Sequence, residues 1–176
     1  MKQYELNKYL NDLELVEQKI LKYLQEKIIV MQKEDIKEIK GHLLKSEHNL
    51  KFVKDNIKLN YLDWAIIGCY YASYHVALAL IMTKNYSSKN HFATFLILVK
   101  EFYNNGLSEN DFKMLAHLLD YQDILFYVES KNKREDAAYS TKTKYNKQEV
   151  EQLRMKSALF ISKIKLIIED KNLNHN

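Results

Sequence analysis

Residues 64–82 read WAIIGCYYASYHVALALIM, nineteen consecutive positions without a formal charge. A run of this length approaches the roughly 20 apolar residues a membrane-spanning helix needs. Its polar groups argue otherwise. Tyr70, Tyr71, Ser73, Tyr74 and His75 would lie near the bilayer centre, where tyrosine is disfavoured and histidine needs a partner. The stretch therefore reads as the buried central helix of a soluble bundle, and no membrane association is expected.

The rest of the chain supports an all-α fold. Among 176 residues there is no proline, and glycine occurs only at Gly41, Gly68 and Gly106, so long helices can run uninterrupted. Upstream of the central helix, residues 35–56 place Ile36, Ile39, Leu43, Leu50 and Val53 on one side, with Ile57 just beyond. Downstream, a helix over 89–103 stops at Asn104-Asn105-Gly106. Ser108-Glu-Asn-Asp111 supplies a capping box for a helix to about residue 130. Asn146 starts a last helix whose core side is Val150, Leu153, Ser157, Phe160, Ile161, Ile164 and Ile168. At the beginning, Leu6, Tyr9, Leu13, Val16, Ile20, Tyr23 and Val30 alternate steps of three and four except at Lys27. This heptad-like pattern predicts one long amphipathic helix over residues 1–33, which either packs on the body or binds a partner. The expected organisation is that helix, an up-and-down bundle of four to five helices over 34–172, and a tail over 173–176.

A single cysteine, Cys69, cannot form an internal disulfide, and the first residues lack the apolar core of a signal peptide. The cytoplasm is the expected compartment. The net charge of +4 permits a nucleic-acid partner without requiring one. Between residues 131 and 147, Lys131, Lys133, Arg134, Lys142, Lys144 and Lys147 outnumber Glu135 and Asp136. That segment is either a solvated loop or a phosphate-contacting patch.

Several chemistries lack their residues. The six histidines, at 42, 48, 75, 91, 117 and 175, show no His-Glu-x-x-His spacing, and one cysteine excludes thiolate clusters, so no metal site is expected. Three isolated glycines build no phosphate-cradling loop, and no cofactor is expected. What remains is polar groups on helices. Tyr71 and His75, four apart with Tyr74 beside them, share one helix face, either as satisfied core residues or as a site. Arg134 can grip a phosphate in bidentate fashion, and Tyr139 can stack on a base or hydrogen-bond that phosphate. An internal pair of Arg134 with Glu135 or Asp136 is the alternative.

The run Tyr70-Tyr-Ala-Ser-Tyr-His-Val-Ala-Leu-Ala-Leu80, then Lys89-Asn-His91, then Arg134-Glu-Asp-Ala-Ala-Tyr139, resembles the HEPN family of small prokaryotic proteins over about residues 40–170. The resembling motifs are a Tyr-Tyr-Ala-x-x-His helix, a Lys-x-His pair and an Arg-x-x-Ala-Asp-Tyr sequence. The resemblance implies a helical bundle that commonly forms a homodimer, often encoded beside a small nucleotidyltransferase in toxin-antitoxin or defence modules. It also implies an RNA- or nucleotide-binding site formed by Arg134, Tyr139, Lys133, Lys142, Lys144, Lys89 and His91. Catalytic members cleave RNA without metal through an arginine and a histidine four to six residues apart. Here the fifth position after Arg134 is Tyr139, a phenol too weakly acidic to serve readily as a general base at neutral pH. Ala138 replaces an expected acid, and Ile67 and Gly68 replace an expected polar pair. The expectation is binding without efficient catalysis. One alternative is a metal-independent endoribonuclease toxin using Arg134, Tyr139 and His75, with His91 as another candidate base. A second is an interaction or inhibitor protein that works through residues 1–33.

Overall fold

The computed structural model describes residues 3–129 and 145–173. Within them the chain forms helices α1 (Gln3–Asn11), α2 (Leu13–Gln25), α3 (Ile36–Lys58), α4 (Leu62–Met82), α5 (His91–Phe102), α6 (Glu109–Glu129) and α7 (Lys147–Leu173). Strands β1 (Ile29–Met31) and β2 (Tyr86–Ser88) complete it. The all-α bundle read from the sequence is the observed architecture.

The uncharged central stretch is α4, and it is the hub. It packs most extensively on α3, then on α7, and also on α5 and α6. Of its most apolar window, 78% is buried against these neighbours, so the side chains that would otherwise favour lipid are removed from water within the chain. The α3–α4 contact is close because of Gly68. A Cβ there would lie 2.6 Å from Val53 Cγ2 and 3.0 Å from Phe52 Cδ1. Four residues past Gly68, the buried Ser46 hydroxyl of α3 donates to the Ala72 carbonyl at 2.7 Å. The last helix buries every residue assigned to its core side, including Ser157.

The amino-terminal segment differs from its reading as one helix. Asp12 leaves helical geometry (φ −128°, ψ 83°) and its carboxylate accepts from the Leu15 amide at 2.9 Å. An aspartate able to satisfy orphan amides starts a new helix where the heptad alone would continue the old one. Lys27, at φ 57°, then ends α2, and the chain enters β1, which pairs antiparallel with β2 through Ile29↔Ser88, Val30↔Ser87 and Met31↔Tyr86. Leu6, Val16 and Ile20 are buried as the pattern required, but Leu13 and Val30 are exposed. Ile36, assigned to the core side of α3, is likewise exposed at the first turn.

Asparagine takes the role glycine usually plays at helix ends. Asn60, Asn85 and Asn104 follow α3, α4 and α5 in the left-handed region, at φ 64°, 64° and 56°. Asparagine tolerates that conformation better than most side chains. Asn85 also accepts from the Glu34 amide through its side chain at 3.1 Å, tying the end of α4 to the start of α3.

Candidate functional site: a row of imidazoles and phenols

His75 projects from α4 toward α3, where its Nδ1 lies 2.9 Å from Nδ1 of His42. One ring donates its N–H and the other accepts. Burial pulls both histidines below their ordinary pKa; for His75, the neighbouring His42 and Lys45 add to this and bring it to about 4. Glu38, one turn before His42, works the other way on that ring. At neutral pH the pair is uncharged. His75 can hydrogen-bond and stack there, but its low basicity makes it a poor proton acceptor.

On the other flank of α4, the Tyr70 hydroxyl is hydrogen-bonded to Nδ1 of His91. His91 is placed by its own helix start: the Asn90 side chain accepts from the Ala93 amide at 2.9 Å and fixes the first turn of α5. Tyr74 bridges the two flanks. Its ring centroid lies 4.1 Å from that of His91 and 6.3 Å from that of His75. Tyr70 stacks on Tyr74 at 6.1 Å and meets Tyr71 edge-on at 5.1 Å. The rings of His42, His75, Tyr74, His91, Tyr70 and Tyr71 thus form one continuous row from α3 across α4 to the start of α5. Tyr71 is exposed and Tyr70 buried; the other four rings are half-buried.

Burial raises the Tyr74 phenol above its usual range, with a hydrogen bond to Thr94 opposing this, so it remains a neutral donor at any physiological pH. Under the row, Tyr70, Ser73, Tyr74, His91, Thr94 and Leu115 line a narrow cleft. The Ser73 hydroxyl is buried there with no hydrogen-bond partner among the described residues.

His75 and His91 therefore belong to one assembly, although they point to opposite flanks of α4 and communicate through Tyr74. Lys89 is exposed in the turn before Asn90. Lys133, Arg134, Tyr139, Lys142 and Lys144 lie outside the described residues. Sequence reasoning missed His42 and gave Tyr70 no role. His42 has no local signal, since only the antiparallel packing of α3 on α4 brings residues 33 apart into contact. Tyr70 had a weak signal, as it lies one turn from Tyr74.

No family model matches the chain. It is 26% identical over 137 residues, 78% of its length, to "Putative toxin MJ0142" of Methanocaldococcus jannaschii, of which the match covers 86%. Among the described residues, no three His, Cys, Asp or Glu side chains gather closely enough to hold a metal ion. What the row offers is flat π faces, neutral donors and acceptors, and nearby lysines. Such a surface can stack on a planar ring and hydrogen-bond its edges or an adjoining phosphate.

Proposed function

We propose that this protein is a HEPN-type RNA- or nucleotide-binding component of a prokaryotic toxin-antitoxin or defence module, acting without efficient catalysis. The observation that carries this reading is the unbroken row of three imidazoles and three phenols, flanked by Lys45 and Lys89. The row is open to a ligand at Tyr71, which is 44% exposed. The likeness to an archaeal protein named as a toxin supports the module, and the motifs shared with HEPN proteins support the ligand class. In this reading Arg134, Lys133, Lys142 and Lys144 contact phosphates, and Tyr139 stacks on a base or hydrogen-bonds one of those phosphates. Lys89 and His91 hold the ligand at the start of α5, where helix amides also favour an anion. The low basicity of His75 favours binding over proton transfer.

The test is RNA affinity of the full chain against salt concentration, for the parent and for Arg134→Ala/Lys142→Ala/Lys144→Ala and His91→Ala. The triple variant should weaken binding and flatten the salt dependence by about one unit of slope for each phosphate no longer neutralised. Unchanged affinity and slope in both variants would remove the reading.

One observation favours the endoribonuclease alternative. His91 is half-buried, with its Nδ1 engaged by Tyr70, and an imidazole oriented by such a partner suits a general base. That reading requires growth arrest on expression and RNA cleavage that persists in chelator, both abolished in His91→Ala. A purified protein that leaves RNA intact excludes it.

A further inference from the structure

We infer that the seam between α3 and α4 is a stacking track for single-stranded RNA, extending the ring row past Tyr71 toward the start of α4. This rests on the nucleic-acid reading above. Trp64, Gly68, Tyr71 and His75 follow one another at steps of four, three and four, so they form one line along α4. The gap at Gly68 is covered from α3, because the Phe52 ring lies where a side chain at 68 would begin. Phe52, Tyr71 and Trp64 are 42%, 44% and 53% exposed. At 1.5 Å per residue, Trp64 to His75 spans about 16 Å. Three large rings left in water along a single line form an unpartnered surface.

Charge identifies the occupant. Helix α3 carries six lysines against three acidic residues. Lys45 and Lys51 are exposed, whereas Lys58 pairs with Asp55 at 3.5 Å and Lys54 lies on the opposite side of the helix from Phe52. Lys45 stands two turns before Phe52 and shares its face. Protein interfaces enrich aromatic residues but deplete lysine, whereas single-strand surfaces combine stacking rings with cations that track the phosphates. A two-fold contact between copies of this chain would set the lysine-rich helix against itself, at an electrostatic cost. A duplex hides the base faces that the rings would meet. Unpaired RNA satisfies both halves of the surface: its bases stack on Tyr71, Phe52 and Trp64 while its phosphates run beside Lys45 and Lys51.

Fluorescence anisotropy of the full chain with a labelled unstructured RNA of about 12 nucleotides, and with a duplex of the same sequence, tests this. Phe52→Ala/Trp64→Ala should weaken single-strand binding by about tenfold or more while leaving duplex binding unchanged. Circular dichroism of the variant checks that the helices persist. Lys45→Ala should lower the salt slope by about one. Parent-like affinity in Phe52→Ala/Trp64→Ala, with binding still weakened in Arg134→Ala/Lys142→Ala/Lys144→Ala, would overturn the track and leave the function standing. If the parent binds neither RNA, the track fails and the RNA half of the reading above fails with it. A dimer of the parent that becomes a monomer in Phe52→Ala/Trp64→Ala would make the seam a contact between copies and overturn the track as well.

Discussion

Replacing His75 by glutamine should remove much of the acid sensitivity of this fold. In the folded chain His75 resists protonation until about pH 4, while in the unfolded chain it takes up a proton near its ordinary value of about 6.5. As pH falls from 6.5 toward 4, the unfolded state binds a proton that the folded state refuses, so stability declines through that window and is fully present above it. A displacement of that size is equivalent to about 3 kcal/mol at about 1.36 kcal/mol per unit. Partial exposure of the ring screens this to about 1.5 kcal/mol. For a chain of this length, about 2–4 °C of Tm accompanies each kcal/mol, so His75 should account for a fall of about 3–6 °C between about pH 7 and pH 4.5. Glutamine keeps a hydrogen-bonding partner for His42 but does not titrate. Thermal melts of both proteins across this range report the His75 contribution, because the lowered pKa values of His117 and Asp111 act equally in each and His42, lowered chiefly by its own burial, titrates in both. Parallel pH profiles for parent and His75→Gln would refute the reasoning.

Gly68→Leu should destabilise the chain by about 2 kcal/mol or more, since the stiff, fully buried Val53 has no room to move; a denaturant midpoint equal to the parent's would contradict the close helix approach. Asn90→Ala removes the cap of α5 and should cost about 1 kcal/mol, with weaker RNA binding as His91 loses its placement; calorimetry and anisotropy check the two effects. Ser73→Ala should be neutral or slightly stabilising, because it deletes a buried hydroxyl without a hydrogen-bond partner among the described residues. A decrease of more than about 1 kcal/mol in chemical denaturation would mean that the hydroxyl is satisfied.

Local signals determined the helical class, and the reason is that they depend on neighbours in sequence. The absence of proline, the uncharged run that became α4, the Ser108–Asp111 box (2.7 Å in the structure) and the apolar side of α7 all act within a few residues. Periodicity alone misled over residues 1–33, where Asp12 offered the backbone a competing hydrogen bond and Lys27 adopted a left-handed conformation. The two-stranded sheet was illegible, since each strand has three residues and its partner lies more than fifty positions away.

The site divides along the same line. Sequence placed His75, Tyr71, Tyr74, Lys89 and His91 as polar groups on or beside helices, because spacing of three and four fixes a helical face. Only tertiary packing decided that His42 meets His75 across α3 and α4, that Tyr74 links His75 to His91, and that Val53 and Phe52 fill the space left by Gly68. Those relations depend on how closely one helix can approach another, a property of paired surfaces that no single stretch of sequence contains.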